Sequence, residues 1–371
     1  MYLMGLALLI KILYQIFHLS NIGEVFTMKC SLAHKTFWLL FLPVVLSLSE
    51  LTWAQNTALL IGVSEYKDPT WCQLSTNNDI ALLEKRLSTR FSISICKDEK
   101  ATYDGICSSL SALKENAQMG DTVFIHFSGH GQQMVTGDKT EADNLDEAII
   151  PYDAFYKYTP GVYEGECHFR DNELSSFINE IRRKVGTNGF VIVCLDACHS
   201  GNSNKGANDN LPIRGTMDIF GEETLSEGLS DYFKTDSTEI EKDGAEVVYI
   251  SACKPWDVNQ EIRINDVGYG SLSYSIAMAL DNVDISDIPN WLDYIYYEIK
   301  EDLGLSQTPM FNNSFGYVPS IEINNKIPED IIEIVDDEYS GANKKSHVFL
   351  VTLVGAIIIV LVFVYGKFKK K

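Results

Sequence analysis

The chain has 371 residues, of which 46% are hydrophobic and 22% are charged, and its formal net charge is −21 at pH 7. This length and composition suit a globular protein with one large core or two small ones. No basic patch rises above the acidic background, which argues against nucleic acid as a partner. The charge favours a basic peptide as substrate or partner, although acidity also serves solubility alone.

The first 54 residues have the pattern of targeting sequence rather than of a folded domain. Basic residues precede an apolar run over 36–48, and small residues ending at Ala54 follow it. This order is typical of a secretory signal, which we place at residues 28–54. Residues 1–27 fit the pattern poorly. We interpret them as an upstream extension, with translation beginning at Met28; an additional N-terminal anchor is the alternative.

Strand and helix patterns alternate over residues 55–325, which indicates an α/β domain with a mostly parallel sheet and helices on both faces. The helix that starts at Asp171 is expected to have this residue as its N-cap. The strands are predicted at 57–63, 93–96, 123–128, 191–196 and 246–250, and the helices near 78–90, 102–117, from 171, 270–280 and 288–303.

Two of these strands end in small and reactive residues. One ends in Ser128-Gly-His130-Gly131, and the other ends in Asp196-Ala-Cys198-His-Ser-Gly. Open parallel sheets bind ligands at the carboxyl ends of their strands. We therefore expect the Cys198 thiol to lie near the His130 imidazole, which is the usual activating partner of a nucleophilic cysteine. A core histidine and a buried thiol are the structural alternative, and the flanking glycines make it the weaker one.

The C-terminal part of the chain resembles a membrane anchor. Residues 326–347 form an acidic stalk, and residues 348–365 are an uncharged run of 18 residues, long enough to cross a bilayer. The basic tail 366–371 follows and indicates a cytoplasmic C-terminus. The sequence thus predicts a single-pass membrane protein whose domain at 55–325 is exported, to the outside or to a lumen.

The cysteine count agrees only partly with export. Cys30 leaves with the signal, so seven cysteines remain, and an odd number leaves at least one thiol free. Cys194 and Cys253 lie in apolar runs and are interpreted as small buried residues. The spacing of cysteines and histidines argues against a zinc site. Four others are candidates for disulfide pairing: Cys72, Cys96, Cys107 and Cys167.

The pairing of Ser-Gly-His130-Gly131 with Asp196-Ala-Cys198-His-Ser-Gly resembles the caspase-like cysteine peptidases, and its second motif is similar to the metacaspase branch. The resemblance covers about residues 57–315. Further segments occur in the family's order: Gly62-Val-Ser-Glu-Tyr66, Asn78-Asp79, Asp146-Glu147-Ala-Ile-Ile-Pro151, Asp171-Asn-Glu-Leu174, Ser251-Ala-Cys253, Gly270-Ser-Leu-Ser-Tyr274 and Gln307-Thr-Pro309.

The resemblance implies roles for individual residues. Cys198 would be the nucleophile, and His130 would transfer a proton to the leaving amine. The backbone N–H groups of Gly131 and Cys198 would form the oxyanion hole. Asp196 and Asp79 match acidic positions that give metacaspases their preference for Arg or Lys before the cleaved bond, and carboxylates pair well with such cations. For Asp79, a helix N-cap is the alternative.

A peptidase with this preference could cut itself. The segment 202–244 has little periodicity and is interpreted as a surface loop with several basic residues. Arg214-Gly215, in an extended Pro212-Ile-Arg-Gly stretch, is the best candidate for self-processing. An ordinary flexible insertion explains the segment equally well.

Calcium is the cofactor that the resemblance raises, and an acidic stretch at 138–147 offers oxygen ligands. Asp171-Asn172 and Lys205 depart from the family's acidic ligand pattern, so no metal site is assigned. The predicted function is a membrane-anchored cysteine endopeptidase acting on proteins or peptides with a basic residue before the cut. An inactive caspase-like binding module and transamidase-type acyl transfer are the alternatives.

Overall fold

The computed structural model describes residues 56–135, 145–198, 211–221, 240–241, 243–254 and 257–320. Its strands are β1 Thr57–Gly62, β2 Ser92–Lys97, β3 Thr122–Ser128, β4 Gly131–Val135, β5 Leu145–Ile149, β6 Phe169–Arg170, β7 Phe190–Asp196, β8 Glu246–Ser251, β9 Glu261–Ile264, β10 Val267–Gly270 and β11 Met310–Asn313. Its α-helices are α1 Thr76–Leu87, α2 Tyr103–Asn116, α3 Asp171–Val185, α4 Ser271–Asn282 and α5 Ile288–Tyr297.

Six strands form the central sheet in the order β11-β8-β7-β3-β1-β2. The five strands from β8 to β2 are parallel, and β11 pairs antiparallel with β8 at the edge. The predicted mostly parallel sheet is therefore confirmed. Strands β3 and β7 are neighbours in a register that sets Ser128 opposite Asp196. This register brings the two reactive strand ends together.

Helices cover both faces of the sheet, as the alternation of patterns predicts. Helices α2 and α3 bury residues such as Ile106 and Ile178 in the core on one face. Helices α1, α4 and α5 bury Leu83, Ile276 and Trp291 in the core on the other face. Because both faces are covered, the central strands are apolar almost throughout, which explains their continuous hydrophobic runs in the sequence.

Two smaller β structures lie outside the central sheet. Strands β4, β5 and β6 form an antiparallel sheet of three strands, and β9 and β10 form a hairpin. The β4 strand starts at Gly131, directly after His130. The hairpin is followed at once by α4. Both structures therefore stand at the edge where β3 and β7 end.

Two local expectations are wrong. Asp171 is the first residue of α3, and Arg170 is its N-cap. The backbone N–H of Arg170 donates a hydrogen bond to the Glu173 carboxylate. The expected helix over 288–303 is α-helical only to Tyr297 and continues as a π-helical turn, Glu298–Asp302. Neither shift moves a residue of the candidate site.

The predicted signal at 28–54, the extension before it and the apolar run at 348–365 lie outside the described residues. Within the described ranges, no helix combines the length and the hydrophobicity that crossing a bilayer requires.

Candidate active site

The two reactive residues of the sequence motifs lie at the carboxyl ends of adjacent strands. His130 follows β3 by two residues, and Cys198 follows β7 by two residues. Both side chains are almost completely buried. The arrangement agrees with the rule that ligands bind beyond the carboxyl ends of parallel strands. The structure thus places both residues at the same edge of the sheet, with Nδ1 of His130 buried and without a hydrogen-bond partner.

His130 is held by contacts that fix its ring. Its Nε2 lies 2.9 Å from the carbonyl oxygen of Cys72, and its ring stacks on Trp71 at 5.0 Å between centroids. Its backbone N–H donates to the Tyr66 hydroxyl. Burial lowers the pKa of His130 to about 4, although the Cys72 hydrogen bond opposes this. The ring is therefore neutral at pH 7, with its proton on Nε2 and Nδ1 left as the basic nitrogen.

Cys198 lies between a carbonyl group and a second thiol. Its Sγ is 3.0 Å from the carbonyl oxygen of Asp257, and the Sγ of Cys253 is 3.3 Å from the Cys198 sulfur. The interpretation of Cys253 as a buried residue without a further role is therefore incomplete. It is buried, but it borders the candidate nucleophile.

The backbone of Arg214 occupies the site. Its carbonyl oxygen accepts hydrogen bonds from the backbone N–H groups of Cys198, at 2.8 Å, and Gly131, at 3.2 Å. Its own N–H donates to the carbonyl oxygen of Asn259. The preceding residue, Ile213, pairs antiparallel with the residue after Asn259. The two N–H groups expected to form an oxyanion hole therefore converge on one carbonyl oxygen.

The side chain of Arg214 is fully buried in an acidic pocket. Its Nη2 lies 2.8 Å from both Asp79 Oδ2 and Glu261 Oε1. Its Nη1 donates to the Ser128 hydroxyl at 2.6 Å and lies 3.7 Å from Asp196 Oδ2. Asp79 and Asp196 were expected at such a pocket, and the structure brings them together around this guanidinium.

The charges of the pocket depend on one another. Burial raises the pKa of Asp79, and the Arg214 guanidinium opposes this rise. Burial alone would also raise the pKa of Asp196, but Arg214 and hydrogen bonds from Ser273 and Asn259 hold it below its usual value. Burial would lower the pKa of Arg214, yet the three carboxylates raise it. Buried carboxylates are stable as anions only when paired, so this pocket requires a cation.

Asp79 is not the N-cap of α1, which was the alternative to a pocket role. The helix begins at Thr76 with Ser75 as N-cap, and Asp79 lies in its first turn. Its carboxylate accepts hydrogen bonds from the Ser128 hydroxyl at 2.7 Å and from the Gly270 backbone N–H at 2.9 Å. Helix α1 therefore presents this carboxylate to the pocket.

Glu261 is a pocket residue that the sequence analysis missed. It lies at the start of β9, and its Oε1 also accepts the Ser75 backbone N–H at 2.6 Å. The turn of its hairpin is Asn265-Asp266, with φ of 50° and 66°. An Asn-Asp pair between alternating residues favours a tight hairpin turn. This signal could have predicted the hairpin, although not the direction of the carboxylate.

The residues that the structure describes give no support for a metal site or for disulfides. The described ranges contain no group of three or more His, Cys, Asp or Glu residues suited to a metal ion. Asp146, from the acidic stretch, lies 3.5 Å from the Arg170 guanidinium, and residues 136–144 lie outside the described part. The expected disulfide partners are all free thiols: Cys72, Cys96, Cys107 and Cys167.

Comparison with known protein families gives a match to the family model described as "Caspase domain", over residues 55–316. The chain is 28% identical over 210 residues to Metacaspase-1B of Aspergillus terreus, covering 51% of this chain and 50% of that protein. It is 24% identical over 263 residues to Metacaspase-1 of Schizosaccharomyces pombe, covering 60% and 59%. The matches thus span about half of these relatives' length.

Two solved structures are similar to the chain over 70% of its length. One is a Geobacter sulfurreducens protein, with a TM-score of 0.48, 18% identity and 93% of its chain covered. The other is caspase-1 from Spodoptera frugiperda, with a TM-score of 0.44, 13% identity and 86% of its chain covered.

Proposed function

Because the chain belongs to the caspase-domain family, we propose that it is a cysteine endopeptidase that cuts after Arg or Lys and processes itself between Arg214 and Gly215. One observation carries the proposal. The Arg214 carbonyl oxygen accepts two backbone N–H groups beside Cys198, while the guanidinium of the same residue fills the acidic pocket. This is how a peptidase with such a preference would hold a bond before cutting it.

The neighbouring contacts support a reaction in two steps. The Cys198 thiol loses its proton to the neutral His130 ring, at Nδ1, and attacks the Arg214 carbonyl carbon. The Cys198 and Gly131 N–H groups stabilise the negative oxygen of the tetrahedral intermediate. His130 then donates the proton to the Gly215 nitrogen, the C–N bond breaks, and water hydrolyses the Arg214 thioester with the histidine as base.

Residues behind His130 support its part in both proton transfers. The Cys72 carbonyl oxygen accepts the Nε2–H group, which leaves Nδ1 to take up and release the proton. Stacking on Trp71 holds the ring plane. A neutral ring at rest is the form that a general base requires.

The pocket supports a preference for Arg over Lys. A guanidinium can bind two carboxylates at once through its fork of N–H groups, as Arg214 does with Asp79 and Glu261. A Lys ammonium is a single charged point on a flexible stem, so it pairs with these carboxylates less completely. Asp before the cleaved bond would add a fourth buried negative charge and is excluded.

Self-processing would also open the site to other substrates. While the chain is intact, residues 212–215 lie across Cys198, and no second peptide can pair with residues 259–261. Once the bond after Arg214 is cut, both new ends can leave the site. Protein or peptide substrates with a basic residue would then bind in the place that residues 212–215 occupied.

We further propose that the enzyme is a single-pass membrane protein with its catalytic domain exported. The support is the uncharged run at 348–365 with its basic tail, and the signal pattern at 28–54. Expression of the full chain, followed by carbonate extraction and protease protection of sealed vesicles, tests this. Release of the full-length protein into the supernatant would contradict the anchor.

The peptidase is tested with the full chain and with the matched variant Cys198→Ala. We expect mass spectrometry to find a new N-terminus at Gly215 in the wild-type chain and none in the variant. The processed protein should cut fluorogenic peptides after Arg and, more slowly, after Lys, but not after Asp. The same assays with calcium and with a chelator decide whether activity requires calcium. Absence of all cleavage would favour a binding module that holds Arg214 permanently.

A further inference from the structure

The chain beyond Arg214 runs beside β4 and forms parallel bridges with it at two separate points. Gly215 pairs with Gly131, and Phe220 pairs with Met134. The Phe220 N–H donates to the Gln133 carbonyl oxygen at 2.8 Å, and the Val135 N–H donates to the Phe220 carbonyl oxygen at 2.9 Å. The groove along β4 thus binds the six residues that follow the Arg214–Gly215 bond.

Phe220 fills an aromatic pocket at the far end of this groove. Its ring centroid lies 4.3 Å from His168, 5.6 Å from Tyr163 and 5.7 Å from Tyr158. With these rings around it, Phe220 is only 3% exposed. A Cβ at Gly165 would lie 3.0 Å from the Phe220 ring, so a glycine there leaves room for an aromatic side chain. This pocket is separate from the two cores that flank the central sheet.

Buried polar groups hold the backbone between the two ends of the groove. Gln132 is buried, and its Nε2 donates to the Asp218 carbonyl oxygen at 2.9 Å. Its Oε1 lies 3.0 Å from Nε2 of His168, whose Nδ1 lies 2.8 Å from the Tyr163 hydroxyl. Burial lowers the pKa of His168 to about 3, so the neutral ring donates to Gln132 and accepts from Tyr163. These hydrogen bonds fix the orientation of the Gln132 amide, which donates to the Asp218 carbonyl oxygen.

Not every side chain of the segment is recognised. Met217, three residues before Phe220, is 59% exposed. Backbone hydrogen bonds can form with any sequence, whereas a pocket that buries a side chain favours side chains of matching size and chemistry. The Tyr156 hydroxyl also contacts the side chains of Thr216 and Asp218. Phe220 is nevertheless the one fully buried side chain among residues 215–220, so apolar recognition is concentrated at the sixth residue after the proposed cut.

We propose that the groove along β4 is a substrate subsite, which selects polypeptides with an aromatic residue at the sixth position after the cleaved bond. The proposal rests on the proposed function, since it takes Arg214–Gly215 as a bond that the enzyme cuts. The chain's own residues 215–220 occupy the groove before processing, and a polypeptide substrate replaces them afterwards.

The test uses the self-processed full chain and internally quenched peptides that copy residues 211–221. One peptide carries the natural sequence, one carries Ala for Phe220, and the control carries Ala for Met217. Burying a Phe side chain corresponds to a gain of about tenfold to a hundredfold in affinity. We expect Ala for Phe220 to lower kcat/KM by this factor, mainly through KM, and Ala for Met217 to change it less than about twofold.

A pair of enzyme variants locates the effect. Tyr158→Ala removes a ring that touches Phe220 and should reduce the difference between the Phe and Ala peptides; Phe155→Ala, whose ring touches Tyr163 instead, should leave it unchanged. Equal kcat/KM for the Phe and Ala peptides, with normal cleavage of short Arg peptides, would overturn the subsite alone. If short Arg peptides are not cut either, the proposed function fails and the subsite with it.

Discussion

A side chain on Gly215 would overlap the carbonyl oxygen of Cys198. Gly215 follows the proposed cleavage bond and passes so close to the backbone of Cys198 that an added Cβ would also be 3.2 Å from the Cys198 Cβ. Neither group is the flexible end of a long side chain, so the backbone would have to move.

We expect Gly215→Val to slow self-cleavage after Arg214 by at least about tenfold, because displacing the carbonyl from the oxyanion hole by a fraction of an ångström weakens catalysis strongly. The rate is measured by following the intact chain on denaturing gels after synthesis. Met217→Val, at an exposed position two residues further on, is the control and should be cut at the normal rate. Equal rates for the two variants would contradict the close approach.

Arg214→Lys should still be cut, but more slowly, and Arg214→Gln should not be cut at this position. The Gln variant leaves three buried carboxylates without their cation. In the uncut Cys198→Ala background we therefore expect it to lower the free energy of unfolding by about 3–5 kcal/mol. Urea unfolding measures this loss. Arg183→Gln, which breaks an exposed pair with Glu241, is the control and should cost less than about 1 kcal/mol.

Glu261→Gln should reduce the preference for Arg over Lys. The amide can still accept the Ser75 N–H, but it removes one of the two anions that lie 2.8 Å from the guanidinium. A hydrogen bond between charged groups is worth about 1.5–3 kcal/mol, so kcat/KM on Arg peptides should fall about tenfold or more, chiefly through KM. Glu84→Gln, exposed on α1, is the control. An unchanged ratio of Arg to Lys cleavage would exclude Glu261 from specificity.

Stability should fall as the pH is lowered from about 6.5 to 4. Burial lowers the pKa of His126 and His130 to about 4 and that of His168 to about 3. At these histidines the unfolded chain therefore binds protons in this window that the folded chain does not, while Asp79 and Glu298, whose pKa values burial raises, oppose part of this effect. Each histidine adds up to about 1.4 kcal/mol per pH unit to the slope of the unfolding free energy.

Urea unfolding of the Cys198→Ala chain at pH 7, 6, 5 and 4.5 measures this slope. Adding His168→Asn removes one of the three groups and should make the slope shallower, whatever its effect on stability at pH 7. A slope that does not change would mean that His168 titrates normally in the folded protein.

The sequence predicted those parts of the site that depend on residue type at strand ends. Apolar runs that stop at Ser128 and Asp196 located the edge of the sheet, and His130 and Cys198 followed directly. The carbonyl of Cys72 could not be found in this way, because every residue has a carbonyl group and only the fold selects one. Glu261 was missed because its position depends on a short hairpin outside the main alternation.

The self-cleavage candidate was one of several basic residues in a segment without periodicity, and an ordinary insertion explained that segment equally well. The sequence selected Arg214 only by its extended surroundings, whereas the acidic pocket around it depends on contacts across the fold. Its pocket draws Asp79 from α1, Asp196 from β7 and Glu261 from β9. These three residues are up to 182 positions apart in the chain, 79 to 261, and no local pattern joins them.

Arg214 lies between β7 and β8 in the sequence, and this position determines how a cut there would divide the folded protein. These two strands are parallel neighbours, paired from Phe190 with Glu246 to Leu195 with Ser251. One precedes the cut and the other follows it, so each of the two polypeptides would supply part of a single sheet. A denaturing gel would report two pieces, whereas a sizing column under native conditions would report one molecule of unchanged radius.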